Sequence, residues 1–480
     1  MEVGYSVWDW KPQRNRDITI YQQILEYLER RIFYGELSPG SRLPSERQLA
    51  RYLGVNRSTI ISVYQELEAK GLVEAFKRQG TYVCTRLDSG RKQSLLWHRY
   101  MKENSIPPNL SLYRRVQEEA QNDRCINFTG DLLEPLFPHD PLSDVIAENR
   151  FTESLKYEHP QGHLPLRQTI SEHMKKYYNM DVTSSSVLVT SGAQQSLYLI
   201  THSLLHPGDA IAVEKPSYFC SLPLFQSAGL RLFPLSVDEH GVHPEEVEEL
   251  YRKHRIQMVF LNPTYQNPTG YTLSLQRRKE LLKVCSTFRI PIVEDDPFSL
   301  LAPEPVAPPL KAMDPYGLVL YIGSLSKVVA SNLRVGWLIG PQEIMDRLGD
   351  VRQQMDYGLS IFPQWVAHLF LSSSHFHSHV HELQLALQRR KQLLVTLLQQ
   401  HLGQYVTFHP PHGGIHLWCQ IKHPVQDIKL LEAAIRKKVL YMPGSVYGAK
   451  DGHARFTFSR PYEEEMEEGV LRFKKALDIL

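Results

Sequence analysis

YIGSLSKVVASNLRVGW, Tyr321–Trp337, reads as an apolar strand that runs out into two hydroxyls, a lysine and an arginine. A lysine amine held at such a strand end can form a Schiff base with an aldehyde cofactor, while Ser324, Ser326 and Arg334 offer donors to a phosphate. Thirty-two residues upstream of Lys327 (327 − 295 = 32), IVEDDPF delivers Asp295 at the carboxyl end of another strand. A carboxylate there can pair with a protonated pyridine nitrogen and keep the ring an electron sink. The lysine and the carboxylate together say much more than either does alone.

Further motifs extend the pattern outward. VLVTSGAQQSL, from Val187, is a strand passing into a helix, so the backbone N–H groups of Ala193 and Gln194 should point at an anion from a helix N-terminus. EKPSYF places Tyr218 just past a strand, where its ring can stack on a flat cofactor. FLNPTYQNPTG puts Asn267 on a tight turn as an amide donor to a phenolic oxygen. Near the end, ARFTFSR offers Arg455, whose planar fork suits a bidentate grip on a substrate carboxylate. Between these motifs, short runs at 187–190, 210–213, 257–261, 290–294 and 318–322 alternate with helical patterns. That alternation predicts an α/β fold with a mostly parallel, helix-covered sheet. Helical patterns dominate from about Val351, and a strand near Ala454–Ser459 suggests a smaller C-terminal subdomain.

The N-terminal stretch has a different grammar. In LPSERQLARYLGVNRSTIISVYQELEAKGLV, Ser45 and Gln48 form a capping box and Asn56 is a second N-cap candidate. Leu49, Ala50, Leu53, Ile60, Val63, Tyr64 and Leu67 recur at three- and four-residue spacing, which predicts two helices on one core, with Gly54 in the turn and Gly71 as the stop. Arg57, Ser58 and Thr59 then open the second helix as a recognition helix would. Two short strands around Lys77-Arg78-Gln79-Gly80 form a basic hairpin tip. From Gly40 to Val83 there are seven basic and four acidic residues, a local excess of three positive charges.

This module resembles the GntR-type winged helix-turn-helix over about 65 residues, through PSER, QLA, LGV, the following Arg and Thr, GLV and the G-T-V wing. The resemblance implies DNA contacts at Arg47, Arg57, Ser58, Thr59, Gln79 and Gly80. The remainder, roughly 125–480, resembles a fold-type I pyridoxal-phosphate aminotransferase. HPQGHLPLR, NPTYQNPTG, EDDP and GSLSK are most similar to the subgroup of aminoadipate and kynurenine aminotransferases. Joined, the two parts resemble the MocR/GabR family of transcription regulators, which implies a winged helix-turn-helix at 15–84, a linker at 85–124 and a pyridoxal-phosphate effector domain at 125–480. The resemblance implies pyridoxal 5'-phosphate on Lys327, Asp295 at the pyridine nitrogen, Tyr218 stacking, Asn267 on the phenolate, and Ala193, Gln194, Ser324, Ser326 and Arg334 around the phosphate. It gives Arg455 the effector's α-carboxylate. Double-stranded DNA, an amino compound or the cofactor itself, and a second copy of the chain are the expected partners.

One position departs from the aminotransferase pattern. Where a tyrosine usually follows the aspartate by three residues, this chain has Phe298. Loss of that hydroxyl favours a sensor with weak or no transaminase activity over the alternative, a working aminotransferase with an accessory DNA-binding head.

Bulk properties agree. The 480 residues suffice for two or three domains, and 54 Lys and Arg against 52 Asp and Glu leave the whole nearly neutral, so a DNA-binding face must be local. Five scattered cysteines, none in a CxxC pair, argue against a disulfide framework and a zinc site. No apolar run approaches a membrane span and the N-terminus lacks a signal-peptide core, so a cytoplasmic location is expected. HFHSHVHEL spaces four histidines by two, but it leads into a helical pattern, and a helix scatters such a spacing; a solvated helix start without metal is expected. Cys220 reads as an ordinary buried thiol.

Overall fold

The computed structural model describes residues 10–13, 18–33, 37, 40–76, 80–84, 111–121, 124–130, 141–153, 156–303, 306–329 and 331–480. The chain divides into two compact units, residues 1–105 and 106–480.

The first unit is built from α1 (Ile20–Phe33), α2 (Glu46–Leu53), α3 (Arg57–Ala69) and a hairpin of β1 (Val73–Phe76) and β2 (Gly80–Val83). Ser45 caps α2 with the reciprocal Gln48 bond expected of a capping box. Gly54 makes the turn at φ 68°, and Gly71, at φ 67°, follows the end of α3. Asn56 precedes α3 in extended conformation, but its side chain makes no cap bond, so here the residue type sets the backbone without the expected hydrogen bond. The seven apolar positions read from the sequence are all buried, together with Ile24, Leu28 and Ile32 of α1.

The second unit begins with a departure. The stretch 85–124, read as a polar linker, contains α4 (Ser111–Ala120). Val116 on this helix is fully buried, and Arg115 pairs with Glu432 at 3.2 Å, so tertiary packing makes a helix of what composition marks as irregular. β3 (Ile126–Asn127) and α5 (Pro141–Glu148) follow, then α6 (Leu164–Tyr178), β4 (Val187–Thr190), α7 (Ala193–Ser203), β5 (Ala210–Lys215) and the one-turn α8 (Leu224–Ser227). Next come β6 (Arg231–Asp238), β7 (Gly241–Val242), α9 (Pro244–His254), β8 (Met258–Leu261), α10 (Leu275–Phe288), β9 (Ile292–Asp295), β10 (Val319–Ser324) and β11 (Gly336–Ile339).

These strands form an eight-stranded sheet of order β4-β11-β10-β9-β8-β5-β6-β7. Pairings from β10 through β9, β8 and β5 to β6 are parallel, and β11 alone runs against both of its neighbours. Nearly every residue of the central strands is buried, because helices cover both faces and no side of these strands meets water. Next come α11 (Gln342–Asp356), α12 (Ile361–Ser372) and the 28-residue α13 (His375–Leu402). The C-terminal subdomain adds β12 (Val406–Phe408), β13 (His416–Ile421), α14 (Asp427–Arg436), β14 (Val439–Leu440), β15 (Met442–Pro443), β16 (His453–Thr457) and α15 (Glu463–Leu477), with an antiparallel sheet of order β12-β13-β16-β15.

α13 is not solvated throughout its first turns. His377 and His381 are exposed, but Phe376 and His379 are buried, since this helix packs one side against the sheet domain. Among the described residues no group of three or more His, Cys, Asp or Glu could hold a metal, and no helix is long and apolar enough to cross a membrane.

Candidate functional site

Parallel strands end on the same side of a sheet, and loops leaving those ends converge there. β5 leads to Tyr218, β8 to Asn262 and Asn267, β9 ends on Asp295, and β10 leads to Ser326 and Lys327. The antiparallel β11 starts where β4 and β10 finish, with Gly336 opposite both Thr190 and Ser324. Arg334, two residues before β11, is thereby delivered to the same end.

All nine residues that sequence reading gave to cofactor capture and binding line one cavity of about 230 Å³: Ala193, Gln194, Tyr218, Asn267, Asp295, Ser324, Ser326, Lys327 and Arg334. Arg455 does not line it but reaches it through one bond, Nη1 donating to Asn267 Oδ1 at 2.9 Å. That bond fixes the Asn267 amide, leaving its Nδ2 as the remaining donor. Arg455 is 3 % exposed, donates through Nη2 to the Thr129 carbonyl, and carries its guanidinium 5.2 Å from the Tyr447 ring centre.

The anion end is built by close approach. Gly192 precedes α7 at φ 102°, and no side chain caps the helix. A Cβ on Gly192 would come 3.0 Å from Arg334 Nη2, and one on Gly336 would come 2.8 Å from the Gly192 Cα. Two glycines thus let the arginine and the helix N-terminus meet over a space that side chains would fill. Arg334 sits at φ 53°, an uncommon left-handed conformation for a residue with a side chain, and its Nη2 donates to the Ser191 carbonyl at 2.8 Å. Ser324 Oγ lies 3.1 Å from Ser326 Oγ and accepts from the Ser326 amide at 3.1 Å.

At the far end, burial pushes the Asp295 carboxyl up to about 7, against the pull of the Tyr218 hydroxyl, which donates to Oδ2, and of the Lys327 charge. Tyr218 therefore binds Asp295 through its hydroxyl, a contact its motif did not announce. Sequence reading also missed what holds Asp295: Asn262 Nδ2 donates to the Asp295 carbonyl at 2.7 Å, and the Asn262 amide donates to Glu214 Oε2 at 3.0 Å. Asn262 is the first asparagine of NPTYQNPTG, so the signal was present. Glu214, whose pKa burial raises to about 8, had no signal beyond preceding the KPSY turn.

Phe298 lines the same cavity, fully buried, with its ring edge-on to His416 at 5.7 Å. The Phe presents carbon where the aminotransferase pattern has a hydroxyl. His416 in turn lies 3.5 Å from Arg455 Nη1 and 3.1 Å from Thr457 Oγ1.

In the first unit, Arg47, Arg57 and Ser58 are exposed and Thr59 is half-buried at the start of α3, while Gly80 opens β2. Gln79, Lys77 and Arg78 lie outside the described residues. Arg57 is held by Glu46 at 3.1 Å, an exposed pair that costs little to exchange for a phosphate or base. Arg42, which the sequence did not single out, lies against the hairpin, since a Cβ on Gly80 would meet its Nε at 2.9 Å.

Comparison with known proteins follows the same division. Residues 134–473 match the family model for aminotransferase class I and II, and residues 20–83 that for bacterial regulatory proteins of the gntR family. The chain is 34% identical to the HTH-type transcriptional regulator YdfD of Bacillus subtilis over 94% of both chains, and 35% identical to YisV of the same organism over 96% of both. Among solved structures it is similar to the kynurenine aminotransferase of Pyrococcus horikoshii, with a TM-score of 0.74 and 28% identity, over 80% of this chain and 98% of that one.

Proposed function

The chain belongs to the HTH-type transcriptional regulators that join a GntR DNA-binding domain to a class I and II aminotransferase domain, and from that premise we propose that the larger domain holds pyridoxal 5'-phosphate at Lys327 and reports an amino compound, or the cofactor itself, to an operator. The observation that carries this reading is the single cavity in which a lysine, a buried carboxylate, an amide donor and a helix N-terminus with an arginine converge. The donor set fits the group: hydroxyls and cations for a phosphate, a carboxylate in want of a cation for a pyridinium, and an amine for an aldehyde.

When bound, the cofactor supplies an aldehyde carbon that amines can capture and exchange. The protein's own groups do the rest. Ser324, Ser326, Arg334 and the α7 amides hold an anion. Asp295, desolvated and bonded by Tyr218, favours a cationic partner because that partner returns it to its ionised form. Arg455, with Asn267 set against it, offers the guanidinium plane that an α-carboxylate would occupy, its bond to Asn267 being the one exchanged. Phe298 withholds a proton donor from the reacting end, which suits retention of the ligand over turnover.

A pair of these chains is the expected unit. Phe151, Tyr157, Tyr357 and Phe362 are exposed, Tyr157 at 85% and Tyr357 at 72%, with the two tyrosine rings 6.2 Å apart. Gln195, in the first turn of α7, bonds Asp356 beside Tyr357 at 3.2 Å, so this aromatic surface adjoins the anion end of the cavity. Aromatic surface of this kind marks an interface between proteins, and a second copy is the natural occupant.

The experiment is to mix the purified chain and pyridoxal phosphate with a panel of amino acids and an oxo-acid acceptor. A spectral change without sustained transamination, accompanied by altered operator affinity, supports a regulator. Turnover at ordinary enzyme rates, about 1–1,000 per second, with operator affinity unmoved, would contradict it.

A further inference from the structure

The described residues of the second unit also enclose a cavity away from the strand ends. A space of about 630 Å³ opens between the C-terminal end of α6, the segment after β9 and the first turns of α13. This volume is within the usual range for a small-molecule site, and the function argued above makes no use of it.

Its walls carry both apolar and polar surface. Leu300, Val306, Phe376 and Val380 contribute apolar surface, and polar groups gather at Lys176, Tyr177, His377 and His381. Lys176 Nζ lies 2.9 Å from His377 Nε2, and Tyr177 hydroxyl lies 2.7 Å from His377 Nδ1. An ammonium can only donate, so in this contact Lys176 donates to His377 Nε2 and keeps further N–H groups for another acceptor. Among the described residues no carboxylate lines the cavity and none stands within ion-pair distance of Lys176. Glu304 lies outside the described residues.

The cavity is also connected. His377 and His381 are four apart and share a helix face, whereas His379 between them turns to the other side. His379 is buried, with Nε2 at 2.6 Å from the Val328 carbonyl, one residue after Lys327. A second route starts at Ser299 in the cavity wall, which donates to Asp296 Oδ1 at 2.7 Å, next in sequence to Asp295. We propose that this cavity binds a small organic carboxylate with an apolar body, and that α13 passes its occupancy to the turn carrying Lys327. The site is separate from the cofactor cavity, and the proposal stands whether or not Lys327 captures an aldehyde.

The test uses the full chain without added cofactor and 4-phenylbutyrate as probe, with 4-phenylbutylamine as its cationic counterpart. Calorimetry should show saturable binding of the carboxylate and none of the amine. Lys176→Glu, a change at an exposed side chain, should weaken the carboxylate by about tenfold or more, or about 1.4 kcal/mol. Amide exchange in Ser324–Val329 should slow on adding the carboxylate to the parent chain. Absence of saturable binding, equal binding of the amine, or an affinity indifferent to Lys176→Glu would overturn the site; binding that leaves exchange at Ser324–Val329 unchanged would overturn the transmission.

Discussion

Asp295 closes β9 with a hydroxyl and a lysine charge drawing its proton away and with burial holding it on. Burial wins, raising the carboxyl from 3.8 to about 7. The folded protein therefore keeps a proton between about pH 4 and 7 that the unfolded chain has lost, so this group makes the cofactor-free protein less stable as pH rises through that window. Asp295→Asn should flatten that loss: urea midpoints at about pH 5 and about pH 7.5 should lie closer together in the variant than in the parent. Equal differences in both proteins would deny the carboxyl its raised pKa. Phe298→Tyr makes the complementary prediction, since it restores a proton donor to the reacting end. Transamination by the variant should exceed the parent's by about tenfold or more in single-turnover assays, and an unchanged rate would show that the missing hydroxyl does not limit the chemistry. Residues such as Lys327, Asp295 and Asn267 were legible because each stands in a short motif at a strand end. Glu214 and His416 were not, because their roles come from strands that meet only in three dimensions.

Among elements, the clearest agreement between pattern and structure is α2. Its hydroxyl cap, its three-and-four spacing and the left-handed glycine after it each specify the same helix. Ser45→Ala should cost about 1 kcal/mol of stability in the first unit, read as a lower thermal midpoint for that unit by calorimetry, with the second unit unmoved. Arg57→Ala at the head of α3 should weaken operator binding by about 1–3 kcal/mol, and a drop of about one in the salt slope would assign the contact to a phosphate instead of a base edge. No change in a filter-binding titration would remove Arg57 from the DNA face. Of the elements that the sequence reading did not single out, two show the physical reason. α4 is polar outside and depends on one buried valine and an ion pair to a residue far along the chain, which no local pattern reveals. β11 was passed over because three apolar residues after a glycine do not disclose that their strand runs against its neighbours. Its direction is nonetheless what brings Arg334 to the strand ends.

For the whole molecule, the division into a DNA-reading unit and an aminotransferase-like unit was legible from a change in pattern: helical caps and a basic hairpin first, then alternating strands and helices. The exposed aromatics were not, because an aromatic residue in a sequence carries no mark of being inside or outside. On the dimer proposed above, the parent chain should sediment as a dimer at micromolar concentration and Phe362→Glu combined with Tyr157→Ala as a monomer; a monomeric parent would deny the dimer, and an unchanged dimer would place the interface elsewhere.

The proposed function requires that the amine of Lys327 be the group that takes up the cofactor. Visible absorbance of the purified full chain titrated with pyridoxal phosphate measures this directly, with Lys327→Ala titrated alongside. The parent should develop a saturable yellow band at one equivalent per chain while the variant stays at the spectrum of free cofactor. An identical band in both proteins, or none in either, would contradict the claim.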